Sequence, residues 1–540
     1  MGMDRRRELG AAGRGRVPAR QEVVRWESMP GYVFDGPMLG NGLLGCMISR
    51  QDPGGDGDVL LIAVNRADLV QPVPRMAEGL TAARFMVGRF AVRPAGKVER
   101  MEAELDLAAA EARVRVVTTR GVLHVRAAVH ATRQVLIVEQ RGEGGEAAGE
   151  VAWRPAPAGV MTALGRVDYE ESATYDHHPP AEHARQGDVE THTQAVGGGR
   201  SYTVAWAQRG ARFGAPRGAR HTVEEAGRFD AAEAVRGALD ADAAALDAEH
   251  RGWWMEHYGR VALELPDDAE TERFWWLQQY KIGCLMRPGL QMLDLLGPWY
   301  VHTCWPGIWW NFNTQAMYRH LATGGRAELV DPMLRTLERS AAELRANVPR
   351  GWPGAGEAMA IGRASSFDCD SPVTMTGDEA NPSREGREAG NLLWALHTAW
   401  WVMSHEADGG AAVRREGSDG RLHLGPTLSP EYKAAADCHY DLSLLRWGCE
   451  TLAELLPGDP RAARWREVAS RLTGFPLDDA GRYAVGAGVR FDEGHRHFSH
   501  LMGVWPVGGI DVEAEAARVR GSLEWWLSRG QLAGWSHAAA

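Results

Sequence analysis

The chain has 540 residues, 44% of them hydrophobic and 24% charged, with a formal net charge of −11 at pH 7. That length allows two or more domains with sizeable cores, and the composition is that of an ordinary globular protein. The acidic surplus argues against nucleic acid or an anionic membrane as the main partner, and six scattered cysteines without a C-x-x-C pair suggest neither a disulfide framework nor a zinc site.

The first 20 residues, MGMDRRRELGAAGRGRVPAR, are basic but no apolar stretch follows them. They do not form a complete signal peptide, and no later segment is apolar enough to span a bilayer. The expected location is cytoplasmic for the chain as given; a misassigned start would leave secretion open.

Strand patterns come next. From Arg113 to Gly142, Val114 and Val116 alternate with arginines. Leu123, Val125, Ala127 and Val129 alternate again after a turn at Arg120-Gly121, and Val135 and Ile137 follow. Period-two runs with short breaks indicate antiparallel strands with one buried face. Val59–Val64 and Tyr202–Trp206 are further strand candidates. The expected architecture of residues 20–225 is a β-sandwich.

Near Ala226 the period changes. The run FDAAEAVRGALDADAAALDAEHRGWW is alanine-rich and helical, and residues 226–266 are expected to be a helical linker. From there to Ala540 helix follows helix. DPMLRTLERSAAELRANV sets Leu334, Leu337, Ala341, Leu344 and Val348 on one stripe, with Asp331 as expected N-cap and Pro332 in the first turn. GDPRAARWREVASRLTGFP repeats the pattern with Asp459 and Pro460. NLLWALHTAWWVMSHE and YDLSLLRWGCETLAELL are apolar around much of their circumference, so they are expected to be buried on more than one side. A helical barrel or toroid over residues 267–540 accounts for this, and the lack of a fixed internal period disfavours a regular solenoid.

Three segments carry candidate chemistry. In PGIWWNFNTQAMYRH, Asn311 and Asn313 lie two residues apart beside Trp309 and Trp310. In an extended chain both amides point to one side and could hold a water or sugar hydroxyls. Asx turns or caps at a helix start are the alternative. In LSPEYK, Glu431 sits in a loop between helices. A carboxyl group in an aromatic pocket has a raised pKa and can act as a general acid, whereas a solvated glutamate after a turn cannot. In FDEGHRHFSHLMGVWP, His495, His497 and His500 have spacing i, i+2, i+5, which is no common metal pattern. A sugar-binding edge or a structural network fits better, and no metal or cofactor is expected.

Taken together, W-N-F-N-T-Q, S-P-E-Y and G-H-R-H-F-S-H-L, in this order, resemble the catalytic barrel of glycoside hydrolase family 95, the inverting α-L-fucosidases and α-L-galactosidases. PMLGNGLLGCMISR, LLIAVNRADLV and the closing RGQLAGWSHAAA are similar to further patterns of that family. The resemblance implies a two-domain β plus α protein: an N-terminal β-sandwich, a helical linker and an incomplete C-terminal (α/α)6 barrel. It implies an exo-acting glycosidase that removes a terminal α-L-fucosyl or related α-L-sugar residue with inversion. Glu431 would be the general acid, Asn311 and Asn313 would position the water, and Trp309, Trp310, His495, Arg496 and His497 would bind the sugar. Trp309 stands where the family's fucosidases usually carry histidine. The general base is expected beyond Ala540, with Asp492 a weak substitute. The partner is then a carbohydrate. A sugar-binding pseudoenzyme and a helical-barrel phosphorylase are the competing expectations.

Overall fold

Valines that alternate with charged residues between positions 98 and 144 build a continuous antiparallel meander. Its strands are Val98–Asp106, Glu111–Thr118, Gly121–Val129 and Val135–Gly144. Ala112, Val114 and Val116 face the core while Arg113 faces solvent, as a period of two requires. The turn into the third strand uses Gly121 at φ 153°, where an added Cβ would lie 2.1 Å from the Glu143 carbonyl oxygen. The computed structural model describes residues 23–50, 59–72, 82–84, 86–156, 161–163, 173–175, 179–196, 200–209, 212–219, 231–261, 263, 265, 267–300, 307–322, 324, 326–352, 356–373, 388, 390–404, 415–416, 420–430 and 432–533.

The meander lies inside a nine-stranded sheet. In order its strands are Val23–Trp26, the four above, Arg212–Ala219, Arg200–Arg209, Val189–Val196 and Glu182–Gln186. A five-stranded sheet runs Glu150–Pro155, Gly88–Arg93, Leu60–Arg66, Leu44–Arg50 and Met38–Gly40. Rings from the two sheets meet: Trp206 lies 6.1 Å from Phe90 and 5.8 Å from Trp153. Such interdigitated faces are how two sheets bury their apolar sides.

Three helices follow: α1 (Ala231–Asp240), α2 (Ala243–Gly259) and α3 (Ala269–Leu285). Asp242 and Asp268 cap the last two by accepting the amides of Ala245 and Thr271. Apolar residues of α1 pack on Val189, Ala205 and Ala207 of the large sheet. In α3 the Tyr280 hydroxyl donates to the Met38 carbonyl at 2.7 Å. These contacts explain why compactness divides the chain after Pro306, rather than at 225 or 266. Among the described residues, those up to 300 form one unit and those from 307 onward the other.

The second unit is helical. Its helices are α4 (Asn313–Arg319), α5 (Asp331–Arg339), α6 (Ala341–Ala346), α7 (Asn391–Ser404), α8 (His439–Leu455), α9 (Ala462–Arg471) and α10 (Ala516–Arg529). In α8, 13 of 17 residues are buried, as an all-round apolar sequence demands. Two expected caps differ. Asp331 is the first helical residue, and its carboxylate accepts from Arg335 one turn on. Asp459 holds the Arg461 amide in the turn before α9 instead of capping the helix. Among the described residues no helix is long and apolar enough to cross a membrane.

Candidate active site

The WNFN segment is extended only briefly. Ile308–Trp309 pairs with Ala364–Ser365, the Trp310 amide donates to the Arg363 carbonyl at 2.7 Å, and α4 starts at Asn313. Thr314 and Gln315 close the turn by donating from their side chains to the carbonyls of Trp309 and Trp310. The extended run therefore stops before it can turn both asparagines to one side. Asn311 is completely buried, and Asn313 is exposed on the first turn of the helix. Trp309 and Trp310 are also buried; the indole N–H of Trp310 donates to Ser365 Oγ at 2.8 Å. They pack the interior instead of walling an open site.

The aromatic wall is made by their neighbours. One pocket is lined by Phe312, Trp394, Pro430, His497, Ser499 and Met502, together with Phe498. Phe312 comes from the turn between Asn311 and Asn313, Trp394 from the first turn of α7, and Pro430 from the hairpin just before position 431. His497 comes from the histidine segment. Phe312 stands edge-on to His497 at 5.6 Å and 6.0 Å from Trp394. None of the described residues lining this pocket is acidic. Glu431, the expected general acid, lies outside the described residues.

The chain on either side of position 431 is held firmly. The Ser429 amide donates to the Lys433 carbonyl at 3.0 Å, and the Tyr432 amide donates to the Ser429 carbonyl at 2.8 Å. Ser429 also hydrogen-bonds through its hydroxyl to Ser499. The Tyr432 ring stacks on Phe491 at 4.7 Å, and its hydroxyl accepts the amides of Asp492 and Glu493. Lys433 Nζ reaches Asp492 at 2.7 Å and Glu493 at 2.8 Å.

That clamp bears on Asp492. Its carboxylate takes the Lys433 ammonium and the Tyr432 hydroxyl, which hold its pKa below the usual aspartate value. An exposed aspartate so engaged is a poor proton acceptor, which argues against it as a substitute base. His495 Nδ1 accepts the His497 amide at 3.1 Å, so the first histidine shapes the loop that presents the second. Arg496 is exposed and His497 buried at the pocket. His500 is buried against Phe491, and burial pushes its pKa down to about 3. A neutral ring stacked in a core is a structural histidine.

Behind the pocket lies a polar group that sequence reasoning did not single out. Arg363 pairs with Glu388 at 2.6 Å, with both side chains largely or wholly buried. Asn391 at the start of α7 donates to Glu388 and to the Gly362 carbonyl, and accepts the Tyr440 hydroxyl at 3.0 Å. Asp441 accepts the Thr427 hydroxyl. Burial, with the Glu388 charge adding, lifts the Asp441 carboxyl to about 7. The one available signal was polar residues at the starts of two otherwise apolar helices, which reads equally well as capping.

No protein-family model matches the chain, and no curated protein matches it by sequence. Among solved structures, it is similar to one described as a kojibiose phosphorylase from the human microbiome. That match has a TM-score of 0.53 and 8% identity and covers 82% of this chain and 68% of the other. A bacterial glucoamylase complexed with acarbose matches at a TM-score of 0.45 and 9% identity, over 87% of this chain and 74% of the other. At such identities the first likeness concerns the fold: an N-terminal β-sheet region followed by a helical region.

Proposed function

We propose that the chain is a carbohydrate-active enzyme, an exo-acting inverting glycosidase that acts on a terminal α-L-fucosyl or related α-L-sugar. One observation carries the reading. Three segments far apart in sequence, which together resemble glycoside hydrolase family 95, contribute Phe312, Pro430 and His497 to one pocket. The fold likeness to a protein described as a kojibiose phosphorylase supports the broader class.

In this reading the Glu431 carboxyl protonates the glycosidic oxygen as the bond to the anomeric carbon breaks. Asn313, at the exposed start of α4, holds the attacking water on the opposite face while the buried Asn311 fixes the turn from inside, and the carboxylate base that inversion requires takes its proton. Phe312 and Trp394 offer ring faces to the apolar side of the sugar, and His497 a polar contact. Asp492, tied to Lys433, is a poor candidate for the base.

A second reading draws on the same pocket. Phosphorolysis needs the acid but no base, because phosphate is already an anionic nucleophile. The fold likeness to a protein described as a kojibiose phosphorylase favours it. Incubation with terminal α-L-fucosides, α-L-galactosides and glucose disaccharides, with and without inorganic phosphate, separates the two. Proton NMR of the first-formed anomer should show inversion in water. Turnover only with phosphate selects the phosphorylase. Retention, or neither turnover nor binding of any of these sugars, overturns both.

A further inference from the structure

We propose that the buried side chains Arg363, Glu388, Asn391, Tyr440, Asp441 and Thr427 form a positioning network that fixes the Asn311 segment relative to the Pro430 hairpin. The network acts on turnover without touching the sugar. This inference rests on the reading of the pocket as a glycoside-cleaving site.

The path can be followed atom by atom. The Trp310 amide hangs on the Arg363 carbonyl, and Trp309 pairs with Ala364. The Arg363 guanidinium gives Glu388 two hydrogen bonds, at 2.6 and 3.1 Å. Asn391 Nδ2 bridges Glu388 at 3.2 Å and the Gly362 carbonyl at 3.1 Å, and Asn391 Oδ1 accepts the Tyr440 hydroxyl. The Tyr440 ring stands edge-on to Trp394 of the pocket wall at 5.6 Å. The next residue, Asp441, holds Thr427, which opens the short strand Thr427–Leu428 leading to Ser429 and Pro430. Gly390 makes the junction possible: a Cβ there would lie 2.5 Å from Asp441 Oδ1 and 2.6 Å from the Tyr440 ring.

An ion pair this deep is a weak source of stability, because desolvation offsets its Coulomb attraction. Apolar residues of the same volume would serve a purely structural core as well. What the polar chain adds is direction: each hydrogen bond fixes one orientation between two elements. The elements so joined carry Asn311 at one end and Pro430, one residue before Glu431, at the other. Small misplacements of such groups cost rate more than binding.

The network also titrates. The groups facing Asp441 are the Thr427 hydroxyl, the Glu388 carboxylate, the Cys438 thiol on its own turn and the neighbouring Tyr440, with Arg363 on the far side of Glu388. Burial holds the Asp441 carboxyl neutral up to about pH 7. Above that, a second negative charge forms beside Glu388, so turnover should fall on the alkaline side.

The test uses Tyr440→Phe and Thr427→Val in the full chain, read by amide hydrogen exchange over residues 308–316 and 427–435 and by steady-state kinetics. With an intact fold by circular dichroism, Thr427→Val should speed exchange at least fivefold in the distant 308–316 segment as well as in its own, and Tyr440→Phe in both. Values of kcat should fall about tenfold with KM within twofold, and the alkaline limb should shift in both variants. Exchange altered only next to the substituted residue, or unchanged kcat, overturns the network. If Tyr440→Phe fails to fold, Thr427→Val decides, since it removes one hydroxyl and keeps the side-chain shape. If the wild-type protein cleaves no glycoside, the functional reading fails while the exchange result still decides the coupling.

Discussion

Replacing Asp441 with asparagine should stabilise the protein, and the gain should grow with pH. The Asp441 carboxyl is buried beside Glu388 and is raised from 3.8 to about 7. In the unfolded chain it loses its proton near 3.8; in the folded protein it keeps it until about 7. Between those values the folded state binds more protons, so stability falls as pH rises and then levels off above 7. At about 1.36 kcal/mol per tenfold change in equilibrium, the full effect is about 4 kcal/mol. Asparagine cannot ionise, yet its carbonyl can still accept the Thr427 hydroxyl. Urea unfolding of both proteins from pH 4 to 9, at equal m-values, measures the difference. The curves should nearly coincide at pH 4 and separate to the order of 4 kcal/mol by pH 8. Parallel curves, or an asparagine variant less stable at pH 8, would mean that the carboxylate is satisfied as an ion in the folded protein, and the reasoning would be wrong.

Other substitutions, and acid, bear on the site and its support. Glu431→Gln should lower kcat by roughly 10²-fold or more on glycosides with poor leaving groups and much less on activated aryl glycosides; equal losses would contradict the acid role. Asn313→Ala, at an exposed position, should cost rate with little change in melting temperature, whereas Asn311→Ala, at a fully buried one, should cost both rate and about 1–3 kcal/mol of stability. Normal turnover in both would remove their assigned role. Gly390→Ala should destabilise by about 1–3 kcal/mol, because its Cβ would press on the Asp441 carboxyl and the Tyr440 ring; a neutral result in urea unfolding would show that the junction is loose. Acid should unfold the protein through His397 and His500, which burial lowers from 6.5 to about 3. Their neutral burial favours the fold above 6.5 and is lost progressively as pH falls toward 3, so His500→Phe should flatten that limb of the stability curve.

Local pattern and long-range packing contributed differently to this protein. Alternating valines set the strands from Glu111 to Gly144, and the apolar circumference of the helices at Asn391 and His439 foretold their burial. Those features are legible because side-chain direction repeats with the backbone period, two in a strand and 3.6 in a helix. The helix starts at 313, 331 and 462 were less legible, because a turn closed by Thr314 and Gln315 or a bond from Asp459 to Arg461 competes with simple capping. The sequence could place Asn311 beside Asn313, but the tertiary fold put one inside and left the other exposed. It could offer 21 tryptophans, but only packing made Trp310 interior and Trp394 a pocket wall. Asp441 reads as an ordinary residue in the first turn of a helix. Its altered acidity comes first from the exclusion of water around it and then from the charge of Glu388, 53 positions earlier. Periods act between near neighbours along the chain and can be read from it. Desolvation and charge pairing act between groups that only the closed fold brings together, and the chemistry proposed for this site depends on those.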